Sequence, residues 1–168
     1  MKSATAAAET FLQALLGDTP FEALRTLVDW PRFRLMQLMQ ATAGSDPATR
    51  AELLGRALDA LEVATPGAEA EERALRSLTS VVEILIGPEW RFVDEWDNPL
   101  LASLRAGPLP GAPPGLKRYL ERLAVVANAA TPVSIAARDP EATKLMTLLF
   151  VDGRYAGFLP GELTSVRQ

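Results

Sequence analysis

Apolar positions recur at helical spacing through the first two-thirds of the chain, and Pro and Gly divide them into segments. Phe11, Leu12, Leu15 and Leu16 form a first stripe, and Gly17 stands where a left-handed residue would end that helix. Thr19, Pro20 and Glu22 have the spacing of a capping box with proline at the first helical position, and Phe21, Leu24, Leu27 and Val28 follow on one face. Pro31 redirects the chain into a third helix carrying Phe33, Leu35, Met36, Leu38 and Met39, which ends at Gly44. Asp46 and Pro47 open a fourth, striped by Leu54, Leu58 and Leu61 and ending near Val63. A fifth follows Gly67. Glu69, Glu71 and Glu72 complement the positive end of its dipole, Leu75, Leu78, Val82 and Leu85 form its buried face, and Gly87 and Pro88 stop it.

Period changes after residue 88. Trp90, Phe92 and Trp96 suit a strand while Trp90, Val93 and Trp96 suit a helix, so periodicity leaves residues 89–97 open. Asn98 and Pro99 read as a cap and first turn of a short helix through Leu104. Residues 107–115 hold four prolines and three glycines and read as an irregular connection. Leu116, Tyr119, Leu120, Leu123 and Val126 then keep helical spacing until Pro132 forbids continuation. Val133, Ile135 and Ala137 alternate as a strand, and residues 143–151 form a nearly continuous apolar run. Asp152-Gly153 between that run and residues 154–159 is a two-residue hairpin signal, pairing Val151 with Arg154, Phe150 with Tyr155 and Leu148 with Gly157. The predicted fold is α+β: six or seven helices, mainly in the first two-thirds, and a small C-terminal antiparallel sheet.

With 168 residues, the chain is sized for one domain over 1–168, the Pro/Gly-rich connection being internal to it. Lys and Arg number 17 against 21 for Asp and Glu, so no global positive field draws the chain to nucleic acid or anionic lipid. No apolar run approaches the ~20 residues that cross a bilayer, and the first residues lack a signal-peptide core, which points to a cytoplasmic protein without membrane attachment. Histidine and cysteine are both absent. That removes Ser-His-Asp and Cys-His catalysis, thiolate metal sites and disulfides, and leaves carboxylates, Lys, Tyr and Ser for any chemistry.

Functional groups crowd at residues 89–97. Glu89, Asp94, Glu95 and Asp97 are of the type that ligates a hard cation or works as an acid/base pair, and Trp90 and Trp96 are of the type that stacks on a flat ligand. The ordinary reading is an amphipathic segment with its rings in the core and its acids in water. Trp30, Arg32 and Arg34 suggest an anion site, but residues two apart do not share a helix face, and solvated arginines are the simpler expectation. The segment around Gly107 and Gly111 has no Gly-Lys-Ser/Thr ending, and its prolines remove the backbone donors a phosphate loop needs. Lys117, Arg118 and Arg122 make an ordinary basic helix face. No catalytic residue, metal or cofactor is implied. The expectation is a non-catalytic protein working through association with itself or a protein partner. The alternative is a small-molecule binding protein with an apolar pocket between helices and sheet, and a carboxylate-dependent enzyme built on residues 89–97 comes third.

Overall fold

In the computed structural model, residues 4–42, 44–63, 67–94 and 96–163 are described; Glu95, one of the candidate acids, lies outside them. The helices are α1 (Ala4–Leu16), α2 (Phe21–Arg25), α3 (Trp30–Ala41), α4 (Pro47–Val63), α5 (Ala68–Leu85), α6 (Pro99–Ala106) and α7 (Pro114–Ala129). The strands are β1 (Trp90–Val93), β2 (Thr131–Ala137), β3 (Lys144–Val151) and β4 (Arg154–Glu162). They form one antiparallel sheet in the order β1-β2-β3-β4, so the fold is α+β as the patterning predicts.

Local chemistry sets most helix starts. The Asp46 carboxylate accepts from the Thr49 amide (2.9 Å) and hydroxyl (2.8 Å), capping α4, and these bonds hold its carboxyl below the usual range. Asp29 does the same for α3, accepting from the Arg32 amide and pairing with its guanidinium at 2.7 Å. The expected box at Thr19 does not form. α2 starts one residue later, so Pro20 holds the cap position without a side-chain bond and Glu22 is too early to reach back. Nor is Gly17 left-handed, since it is not among the positive-φ glycines. A Cβ there would lie 2.9 Å from the Gln13 carbonyl, so close approach is what requires glycine. α7 takes Pro114 and Gly115 from the expected connection, with proline near the start of the helix, where its missing N–H costs nothing.

Residues 90–93 are a strand, paired from Trp90↔Ala137 to Val93↔Ser134. Asp152 (φ 52°) and Gly153 (φ 80°) make the mirror-image turn that matches strand twist. Val151 pairs with Arg154 and Phe150 with Tyr155 as expected, but Gly157 then faces Leu149 and Leu148 faces Phe158. Ala156 is the extra residue of a bulge, accommodated by Gly157 at φ 146°. The bulge turns Leu159 away from the face that holds Tyr155. Each then enters a different core.

Those two cores explain the apolar run of β3. Met146, Leu148 and Phe150 point to one face, packed with Phe11, Leu12, Leu75 and Val82 of α1 and α5. Leu149 and Val151 point to the other, packed with Leu54, Leu58, Leu101 and Leu123 of α4, α6 and α7. A sheet covered on both sides has no polar face to alternate with. α3 lies along the β4 edge and feeds both cores, Phe33 into the first and Leu35 and Met36 into the second. The edge is closed further by Tyr155, whose amide donates to the Leu27 carbonyl (2.9 Å) and whose carbonyl accepts from the Asp29 amide (2.8 Å).

Glu71 departs most from its expected role. It continues the stripe of Leu75, Leu78 and Val82 one turn toward the start of α5 and is 3% exposed. Arg34 Nη2 donates to one of its oxygens at 2.5 Å, and Arg25 Nε lies 2.7 Å from the other as an ion pair without hydrogen-bond geometry. This carboxylate ties α2, α3 and α5 together.

Candidate functional site

The buried stretches of β2 and β3 each carry one hydroxyl residue at the same level: Ser134 and Thr147 are register partners, with their oxygens 2.9 Å apart. Asn98, the N-cap of α6, reaches down to them. Its Oδ1 accepts from the Leu100 amide (2.9 Å), while Nδ2 donates to Thr147 Oγ1 (2.9 Å) and to the Pro160 carbonyl (3.1 Å). One side chain therefore starts the helix and anchors it to the sheet. The hydroxyl pair has two protons and one mutual bond, which leaves one O–H uncommitted.

This network floors a cleft of about 490 Å³ between α6, the end of β1 and the adjoining strand face, with Thr5 of α1 at its side. Asp94, Trp96 and Asp97 line it, both acids exposed to solvent. Arg105, in the last turn of α6, lines the same cleft. Its Nε donates to the Ala127 carbonyl (2.9 Å) and Nη2 to the Ala130 carbonyl (3.1 Å), closing the end of α7. Its partners are neutral carbonyls, and the guanidinium has no ion-pair partner among the described residues. Trp96 packs edgewise: a Cβ on Gly161 would meet its Cη2 at 2.7 Å.

The other predicted groups are spent elsewhere. Trp90 lies on the opposite sheet face, edge-on to Phe92 at 5.0 Å and packed against the first core. Trp30 donates to the Arg25 carbonyl (2.9 Å) and meets Phe33 edge-on, Arg32 pairs with Asp29 and Arg34 with Glu71. Those three do not converge. Arg34 is not solvated either, being held by the buried carboxylate. Among the described residues no three acidic side chains are grouped to hold a metal.

Sequence reasoning read Asn98 only as a cap and passed over Arg105, Ser134 and Thr147. The available signal was a hydroxyl inside each apolar strand, because a polar group in a two-faced buried strand must find a partner. Thr147→Val removes that partner from both Asn98 and Ser134. It is expected to cost about 1–2 kcal/mol in urea unfolding, with Thr147→Ser close to wild type. An unchanged midpoint for the valine variant would show that the network contributes nothing.

The buried phenols take no part. Tyr155 stacks on Phe11 at 4.5 Å, Tyr119 donates to the Leu35 carbonyl at 2.7 Å, and burial raises the pKa of both. Between α3, α5 and β4, Phe33, Met36, Leu78 and Phe158 surround an apolar void of about 50 Å³. Fold and cleft together define an α+β protein with a polar cleft between one helix and a two-sided sheet. Comparison with protein-family models, curated proteins and solved structures finds no match to this chain.

Proposed function

We propose that this protein acts by reversible, non-covalent binding and that the α6–sheet cleft receives a small polar molecule. The observation that supports this is the buried Asn98–Thr147–Ser134 network flooring a cleft of about 490 Å³, a size typical of ligand sites, which run to roughly 300–1,000 Å³. Its uncommitted hydroxyl proton is available to a ligand acceptor. The apolar void of about 50 Å³ is small for the greasy ligand the sequence suggests, so the reading moves from an apolar to a polar molecule. Nitrogen-15 NMR of the full chain with polyol, amino-acid and carboxylate fragments is the test. Shifts at the amides of Leu100, Ser134 and Thr147 that weaken in Ser134→Ala are expected; shifts confined to other surfaces would overturn the reading.

Association with a second copy or a protein partner is a second reading, favoured by Ile84, a large apolar side chain left 81% exposed near the end of α5. It predicts a mass that rises with concentration in sedimentation equilibrium and reverts in Ile84→Glu. A cytoplasmic location belongs to the proposal under either reading and is checked by cell fractionation.

A further inference from the structure

Arg105 is fixed through its backbone as well as its side chain. Asn128 of α7 donates from Nδ2 to the Arg105 carbonyl (3.2 Å) and to the Ala124 carbonyl (2.8 Å), while the Arg105 side chain reaches the carbonyls of Ala127 and Ala130. The last turns of α6 and α7 are laced in both directions, which sets the position of the guanidinium. A guanidinium has five N–H groups. These bonds use one on Nε and one on Nη2, leaving both on Nη1 and the second on Nη2. Side by side on a planar group, Nη1 and Nη2 form the fork that donates to the two oxygens of a carboxylate. Arg105 is exposed and lines the cleft, and no acid pairs with it among the described residues.

The rest of the lining selects among anions. Asp94 and Asp97 share the cleft, so a ligand with a second negative charge meets two like charges and one opposite charge. Val93, Leu101, Ala102, Pro132 and Val133 supply apolar wall suited to a hydrocarbon body. We infer that the molecule received by the cleft is a monocarboxylate with a short apolar body, its carboxylate held by the free Nη1–Nη2 edge of Arg105. This rests on the cleft being the binding site. A carboxamide of the same shape turns an NH₂ group toward the guanidinium donors and forfeits both the charge and one acceptor. A dicarboxylate brings the second charge that Asp94 and Asp97 oppose.

Butyrate, butyramide and succinate are titrated into the full chain by NMR, with the Arg105 side-chain Nε–H and the Ser134 and Thr147 amides as reporters. Butyrate is expected to shift all three signals and to bind about tenfold or more tighter than butyramide. Succinate is expected to bind about threefold or more weakly than butyrate. Arg105→Gln is expected to abolish the preference for butyrate over butyramide, with circular dichroism verifying the fold. Because Arg105 also closes α7, the wild-type Nε–H signal supplies a reading that depends on no variant. Several results overturn the carboxylate and leave the cleft: equal binding of butyrate and butyramide, succinate bound as tightly as butyrate, or cleft amides that shift while the Arg105 Nε–H does not. Polyol or amino-acid fragments that bind in the cleft where butyrate does not have the same consequence. Cleft amides that respond to no fragment of any class overturn both.

Discussion

Gly115→Ala is expected to destabilise the protein by about 3 kcal/mol or more, at the upper end of what overpacking costs. α4 and α7 cross where Gly115 meets Ala51, and a Cβ on Gly115 would lie 2.1 Å from the Ala51 carbonyl oxygen and 3.0 Å from its carbon. Both are backbone atoms inside a regular helix, so no side chain can swing aside and the two helices must separate. Leu54, Leu58 and Leu123 all fill the core behind that crossing and would lose contact together. The companion substitution has the opposite sign. A Cβ on Gly55, in the middle of α4, meets Gly115 Cα at an ordinary 3.6 Å, so Gly55→Ala keeps the crossing and gains up to about 1 kcal/mol of helix propensity. Thermal unfolding resolves the pair, since 1 kcal/mol moves the midpoint of a chain this size by about 2–4 °C. A Gly115→Ala midpoint within a degree of wild type would mean that the helices do not cross here.

The second large effect is Glu71→Gln, expected to cost about 3 kcal/mol, in the range for breaking a buried ion pair. The loss comes less from the missing attraction than from what remains. Arg34, itself only 18% exposed, would keep its charge with no opposite charge in reach, and its Nε already lacks a partner. Arg25 is half exposed, so Arg25→Ala should cost under about 1 kcal/mol. Adding Arg34→Met to Glu71→Leu should recover much of the loss, because a packed apolar pair replaces a stranded charge. Equilibrium urea unfolding of the singles and the double measures this cycle. A Glu71→Gln variant within 0.5 kcal/mol of wild type would sink the account of Glu71 as the tie between α2, α3 and α5.

Glu71 also marks the limit of pattern reading. Three acids near the start of a helix look like dipole partners, and only the register against Leu75 places one of them on the buried stripe. Nothing in its neighbourhood names Arg34, 37 positions away, as its partner. The bulge at Ala156 is similar. The alternation of residues 154–159 fits a regular ladder, and the extra residue enters because Tyr155 and Leu159 must fill cores on opposite faces. Within the cleft, Asp94, Trp96 and Asp97 were legible as a cluster, but Trp90 belongs to the other face once residues 90–93 are a strand. Asn98 and Thr147 meet across 49 positions, and no local signal carries that distance.

What this sequence determined unaided is therefore its set of elements and the devices that start and stop them. The Asp46 and Asn98 caps, the Asp152-Gly153 turn and the helical stripes act over a few residues, so their free energies are written in neighbouring side chains. The tertiary structure alone decided which faces meet: Gly115 against Ala51, Glu71 between two arginines, and a cleft walled by groups from β1, α6, β2 and β3. Contacts of that kind depend on steric fit and on burying charge between elements, and neither quantity exists until the helices close on the two faces of the sheet.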